Sequence, residues 1–311
     1  MIKRFLLVAP LALALGACGS STDSAPDAPP STPAGAPTAP AAQDAPDTAA
    51  STARTDDTPA AAGSAAPSAA DDASSSAPAA STAPADDSAA VAAARAQAAK
   101  DFVDDGTWVE GKNYYVIQPA QPKVTGTDKV EVVEVFSFGC PACNHAHKLV
   151  DKMRAALPSY ATMAYLPAGF RPDENWTVYQ RAWYAAKALG VAEKSYDTLF
   201  ETTWDSGETA TYDLGTGRPK PKSQWPDIND IAQVYASKFD VPAKDFAAVA
   251  ESFTINTKMK RADELVKSYG VTGTPSFVVD GKYRFDFRSA GGYTQAIDLA
   301  KWLAAKEAAG K

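Results

Sequence analysis

Twelve residues, Phe136 to His147 (FSFGCPACNHAH), hold two of the chain's three cysteines and both of its histidines. Such a set supports one of two chemistries, a redox disulfide or a metal site. Cysteines at i and i+3, with the first at a helix start, lie close enough to close a small disulfide ring. In that position Cys140 meets unpaired N–H groups and the positive end of the helix dipole. Its pKa should therefore fall below the free value of roughly 8.5. A low pKa makes the thiolate available and also a good leaving group, which favours an oxidising disulfide. Cys143, one turn further in, is expected to be the more buried, resolving thiol.

Other readings fit the same residues less well. A purely structural disulfide of this spacing closes a small loop, and loop entropy grows with loop length. The set Cys140, Cys143, His145 and His147 has the composition of a zinc site. On a helix, however, His145 points about 200° away from Cys143 at about 100° per residue, so four ligands cannot converge. Only Cys140, Cys143 and His147 share a face, and the rest of the domain offers no second CxxC. Redox chemistry without metal or organic cofactor is the expectation. A distant stretch, VTGTPS (271–276), lies between a helix end and a strand, and its Thr274-Pro275 bond is where a cis peptide would fit.

The elements that must position these groups follow from periodicity. NYYVIQ (113–118) and VEVVEVFSF (130–138) read as strands, the second apolar on both faces near its end, as in a buried central strand. Helical spacing from Cys143 to Leu157, with Pro141 suited to the first turn, and a strand at ATMAYLP (161–167) complete a βαβ unit. From Pro172 to about Thr254 the pattern is helical. Trp176, Tyr179, Trp183, Ala186 and Leu189 form one stripe ending at Gly190. Further helices are expected at 192–205, 227–239 and 242–253, interrupted by GTGRPKPKSQWP (215–226). A helix at 256–269, a hairpin of SFVVD and YRFDF around Gly281, and an amphipathic helix at 293–306 close the chain. The globular region is expected to begin near Gly111. Residues 88–102 favour helix by propensity but show no apolar face, which predicts a marginal helix.

The chain's first third has another character. Lys3 and Arg4 precede FLLVAPLALALG, a short apolar core typical of a secretory signal over residues 1–17. Leu15-Gly16-Ala17-Cys18 resembles the lipobox of bacterial lipoproteins, which implies lipidation of Cys18. Gly19, where an aspartate signals inner-membrane retention in that family, leans towards the outer membrane. From Gly19 to about Ala90 the chain is Ala, Ser, Thr, Pro and Asp without an aromatic residue, a composition expected to stay disordered. Ten aspartates against Arg54 make it acidic, and residues 91–311 carry a formal charge of zero. Nothing in this balance points to nucleic acid. A flexible tether of this length spans on the order of 50 Å. The expected organisation is a signal peptide at 1–17, a tether at 18–95, and a domain at 108–308 with a helical insertion at about 172–255.

Taken together, FSFGCPAC, the GVTGTPSFVVDGKY stretch around Pro275 and the helical segment WYAAKALGV followed by LF resemble the DsbA family of thiol:disulfide oxidoreductases in the thioredoxin superfamily. The likeness covers about residues 110–305. It implies an α/β thioredoxin-like fold with an inserted helical domain, and it implies roles. Cys140 would be the attacking, substrate-linked cysteine and Cys143 the resolving one. Pro275 would be the cis-proline facing the disulfide, with Thr274 offering backbone hydrogen bonds to a bound peptide. Glu134, six residues before Cys140, would be the buried acid that moves protons beneath it. Reduced or unfolded exported proteins would be substrates and a DsbB-like membrane quinone reductase the reoxidant, in the periplasm at a lipid-anchored position. The chain departs from the strongly oxidising members in two ways. Ala142 stands where they carry histidine, and His147 stands where relatives carry a further acid. His147 is therefore a candidate proton partner for Glu134. A reductase or isomerase kept reduced by a membrane donor remains open, as does a non-enzymatic peptide- or metal-binding lipoprotein.

Overall fold

The computed structural model describes residues 85–311; the signal, Cys18 and the tether up to residue 84 lie outside them. The first described element is a helix, α1 (Ala85–Asp101), whose first eleven residues fall in the stretch assigned to the tether. The helix that propensity favours over 88–102 forms, and it has a contact face. Val91, Ala94 and Ala98 recur on one side and pack against the core, so small alanines supply the contact face that periodicity in large apolar residues did not reveal. Arg95 fixes the helix at its middle, donating to the Asp128 carbonyl (3.3 Å) and lying 3.8 Å from the Glu307 carboxylate.

The sheet is built from β1 (Tyr115–Val116), β2 (Val130–Phe136), β3 (Ala161–Pro167), β6 (Ser276–Val279) and β7 (Tyr283–Phe285), in the order β1-β7-β6-β2-β3. All seven residues of β2 are buried, as its two-faced apolar pattern requires. It pairs in parallel with β3 and antiparallel with β6, so that Glu134 stands between Tyr165 and Phe277. Between β2 and β3 runs α2 (Pro141–Ala156), with Pro141 in its first turn. The β6–β7 hairpin turns at Gly281, whose φ is +69° and where a Cβ would meet the Gln121 carbonyl oxygen at 2.0 Å; only glycine fits. A short helix α8 (Phe287–Ala290) precedes the last helix, α9 (Tyr293–Ala308).

The insertion holds α3 (Trp176–Ala188), α4 (Ala192–Trp204), α5 (Ile228–Phe239) and α6 (Ala243–Ala250). From there α7 (Phe253–Ser268) leads back to the sheet, starting three residues earlier than its apolar spacing suggested because Ser252 caps it through the Ile255 N–H. The stretch 215–226 is more ordered than a linker. A two-stranded ribbon, β4 (Tyr212–Asp213) with β5 (Arg218–Pro219), crosses it. Asp227 then starts α5 with a reciprocal capping box to Asp230.

Where the insertion meets the sheet, Phe136, Phe138, Tyr165, Trp183, Tyr196 and Phe200 form one buried aromatic cluster. Phe136 meets Phe138 at 5.1 Å and Trp183 at 5.5 Å, both edge to face. Each such side chain contributes about 1.5–3 kcal/mol by burial alone, so the insertion and the β2–α2 junction form one packed unit.

Candidate active site

The junction between β2 and α2 is the sequence FSFGCPAC seen in three dimensions. Cys140 is the N-cap of α2, extended in backbone, and its Sγ accepts the Cys143 N–H at 3.3 Å. The approach is held from the insertion side: Trp204 Nε1 donates to the Phe138 carbonyl at 2.7 Å. Gly139 is required there, because a Cβ would lie 2.9 Å from Trp176 Cδ1 and 3.1 Å from Tyr179. The two aromatic side chains close over the turn and leave room only for a hydrogen.

From the other side comes the loop before β6. The Thr274–Pro275 peptide bond is cis, and Cys140 Sγ lies 3.5 Å from the Thr274 carbonyl oxygen, to which its thiol donates. Cys140, Thr274 and Pro275 are thus brought together across more than 130 residues of sequence. Both cysteines are buried and carry free thiols.

Their environments push the two thiols in opposite directions. Cys140 is lowered to about 6, first by the Cys143 thiol donating to its sulfur, then by Thr274 and the N–H groups of Cys143 and Ala142, against the opposing effect of burial. Thr274 Oγ1 is buried and has no other partner among the described residues, so its hydroxyl is available to a Cys140 thiolate. Cys143 is raised well above the ordinary thiol range, by burial first and then by the neighbouring charge of Cys140 and Glu134. One sulfur is built to be a thiolate and the other to hold its proton.

Glu134 lies beneath them, completely buried in β2. Burial raises its carboxyl to about 8, opposed by a hydrogen bond from Tyr196 and reinforced by the charge of Cys140. The Tyr196 hydroxyl donates to Oε2 at 2.7 Å, whereas Oε1 has no partner among the described residues. The expected pairing of Glu134 with His147 is not made. His147 stacks on Phe200 at 4.9 Å, its Nδ1 faces the Asn144 carbonyl, and its Nε2 is 3.9 Å from Asp197. Helical direction explains the difference: α2 carries His147 towards α4, where Asp197 and Phe200 stand, and Tyr196 reaches Glu134 from the same helix. Sequence reasoning missed Tyr196; its only signal is a tyrosine four residues before Phe200, on the same face of a helix.

His145 is exposed on the outer side of α2, as its angular offset from Cys143 predicts. Among the described residues no three of His, Cys, Asp and Glu gather as a metal set. Ala142 is exposed beside Cys140 and lines a groove of about 550 Å³ with Thr274 and Pro275. Arg284 and Arg288, which sequence reasoning also passed over, lie on its wall.

Comparison with known proteins agrees with this geometry. Residues 125–299 match the family model described as Thioredoxin. The chain is 32% identical over 199 residues to the thiol:disulfide interchange protein DsbA of Pseudomonas syringae pv. tomato, covering 64% of this chain and 84% of that protein. It is likewise 32% identical over 202 residues to DsbA of Pseudomonas aeruginosa, covering 65% of this chain and 87% of the relative. Among solved structures, Pseudomonas aeruginosa DsbA superposes with a TM-score of 0.55 at 28% identity, covering 67% of this chain and 98% of that one. The oxidoreductase DsbA from Xylella fastidiosa gives 0.55 at 25% identity, covering 64% and 97%. With a redox-type cysteine pair at a helix start, a cis-proline beside it and a helical insertion above it, the chain belongs to the DsbA family of thiol:disulfide oxidoreductases.

Proposed function

We propose that the chain is a periplasmic, lipid-tethered disulfide oxidase, in which Cys140 takes the substrate and Cys143 resolves it. The observation that carries this reading is the geometry of the pair. Cys140 caps α2 with its sulfur 3.5 Å from the carbonyl before the cis-Pro275, and Cys143 is wholly buried behind it, an asymmetry that pushes Cys140 down to about 6 and Cys143 up. A substrate thiolate attacks Cys140 Sγ of the Cys140–Cys143 disulfide. The S–S bond breaks and Cys143 leaves with the electron pair. Because Cys143 holds a proton strongly, its departure needs one, and Glu134, whose carboxyl is still protonated at neutral pH, is the donor at hand. A second substrate thiolate then attacks the substrate sulfur of the mixed disulfide and expels Cys140 as thiolate, a good leaving group at a pKa of about 6. The substrate loses two electrons and gains a disulfide, and the protein retains them as a dithiol.

Reduced exported proteins are the substrates in this reading, with Thr274 and Pro275 lining the surface where a peptide lies. Turnover requires a two-electron acceptor, for which a membrane quinone-linked partner of the DsbB kind has the right chemistry. Cys18, at the end of the signal, is the proposed lipid attachment, to the outer membrane because Gly19 is not the aspartate of inner-membrane retention. The length and acidity of residues 19–84 suit a tether that keeps the domain off the bilayer. Substrate trapping tests the assignment. In a Cys143→Ala variant the Cys140 thiolate should attack a disulfide of an exported protein, expel one of its sulfurs as thiolate, and stay linked to the other. No Cys143 thiol can resolve the bond, so mixed disulfides should accumulate through Cys140. Their absence, or their formation in a Cys140→Ala variant instead, would overturn it.

A further inference from the structure

The groove beside Cys140 has a charge that the redox chemistry does not use. It runs from Ala142 and the Thr274–Pro275 loop past Arg284 and Arg288 to Tyr293, about 550 Å³ in all. Arg284, on β7, sits in register with Tyr115 of β1 and lies over its ring, 4.9 Å from guanidinium carbon to ring centre. Stacking of this kind fixes the plane of the guanidinium and leaves its N–H edge free for a carboxylate. Arg288 follows four residues later on α8 and is exposed. Neither arginine forms an ion pair among the described residues, although ten such pairs occur elsewhere in the domain. Asp286, the one carboxylate lining the groove, is already committed to capping α8, accepting the Ser289 N–H at 2.7 Å. Asp286 keeps its charge as a cap, so the lining carries two positive charges against one, a local excess of positive charge beside the active-site loop in residues 91–311, which are neutral as a whole.

We propose that this groove selects thiol substrates whose segment next to the reacting cysteine is acidic, with Asp or Glu side chains of the substrate meeting Arg284 and Arg288. The inference rests on Cys140 as the substrate-linked sulfur. An extended segment entering a mixed disulfide with Cys140 passes along Ala142 and Pro275, and its neighbouring side chains reach the two guanidiniums. Carboxylates there form charge-assisted hydrogen bonds and are drawn in over a distance of about a Debye length, whereas lysines are repelled. Ala142 keeps the near end of the groove uncharged and open, so discrimination falls on the two arginines.

The test uses the oxidised full-length protein and two peptides of equal length, each with one cysteine pair, flanked by Asp and Glu in one and by Lys in the other. Rates of peptide oxidation are measured at low and high ionic strength, with dithiothreitol as an uncharged substrate. The acidic peptide is expected to react about tenfold faster at low salt, with most of that ratio lost at high salt. In Arg288→Glu the ratio should invert, and in Arg284→Ala/Arg288→Ala it should fall to about twofold or less. Ratios are taken within each variant, so a general loss of activity cancels. Equal rates in the parent protein, or a ratio that survives the double variant, would overturn the proposal. No reaction even with dithiothreitol would overturn the underlying reading of Cys140, and the selectivity with it.

Discussion

The phenol of Tyr196 donates a 2.7 Å hydrogen bond to Glu134 Oε2, between two side chains that are both buried beneath the cysteine pair. This contact joins the helical insertion to the sheet: α4 supplies the donor and β2 the acid that we propose supplies the proton to Cys143. Tyr196 also lines a small cavity with Asp151, Arg154 and Asp197. The tyrosine itself is raised well above its ordinary range, by burial first and then by the carboxylate, so it stays a donor.

Removing that donor should move the acid. In Tyr196→Phe, Glu134 loses the interaction that holds its carboxyl down to about 8, and its pKa should rise further. A hydrogen bond to a charged group is worth about 1.5–3 kcal/mol, or roughly one to two pH units. The pH profile of thiol exchange should shift upward accordingly, and NMR titration of the Glu134 carboxyl carbon should follow it. An unchanged titration would remove Tyr196 from the proton path.

Glu134 should also impose a pH slope on stability. Its carboxyl ionises near 4.5 in an unfolded chain and near 8 in the fold. Between those values the unfolded chain has released a proton that the fold retains. Stability therefore falls as pH rises, by up to about 1.4 kcal/mol per pH unit. Denaturant unfolding of the oxidised protein across that window should show the slope, and Glu134→Gln should flatten it while slowing exchange.

Gly139→Ala tests the closure of the insertion over the site. A methyl 2.9 Å from Trp176 and 3.1 Å from Tyr179 must displace ring systems held by other contacts. The expected cost is about 1–3 kcal/mol, with a lowered Tm and a disturbed Cys140 titration. A variant as stable as the parent would mean that the insertion is not held tightly against the turn.

The helix ahead of the expected domain boundary gives a fourth test. Amides of residues 91–101 should be protected from hydrogen exchange in the isolated protein, because Val91, Ala94 and Ala98 pack on the core. Ala94→Glu with Ala98→Glu puts carboxylates into that contact and should lose the protection, together with about 1–2 kcal/mol.

Much of this architecture was legible in the chain. The buried strand Val130–Phe136, the helix opened by Pro141 and the strand Ala161–Pro167 follow their periodicities to within a residue or two. Large apolar residues and turn formers encode these elements locally. The packing of helix α1, unlike its helicity, is hidden in the sequence because its contact face is alanine, which carries little hydrophobic signal, and because its partner, α9, lies two hundred residues away. Cysteine spacing reveals Cys140 and Cys143, but the partner of Glu134 depends on how an inserted helix lies against the sheet. No local pattern distinguishes His147 from Tyr196 in that respect, and the packing of α4 decides for Tyr196. The groove arginines were equally hidden, since an unpaired cation is defined by what does not surround it.

The central claim is that the Cys140–Cys143 pair passes oxidising equivalents to substrates, and its redox state in the living cell tests that claim most directly. Rapid acid quenching followed by alkylation separates dithiol from disulfide. Burial of Cys143 and the groups around Cys140, which lower that thiol to about 6, favour Cys140 as thiolate in the reduced form, the direction that the proposed oxidase needs. The account predicts a pool that is mostly disulfide at steady state and becomes dithiol when the membrane oxidant is lost. A pool held mostly as dithiol would contradict it, and would make the protein a reductase or isomerase.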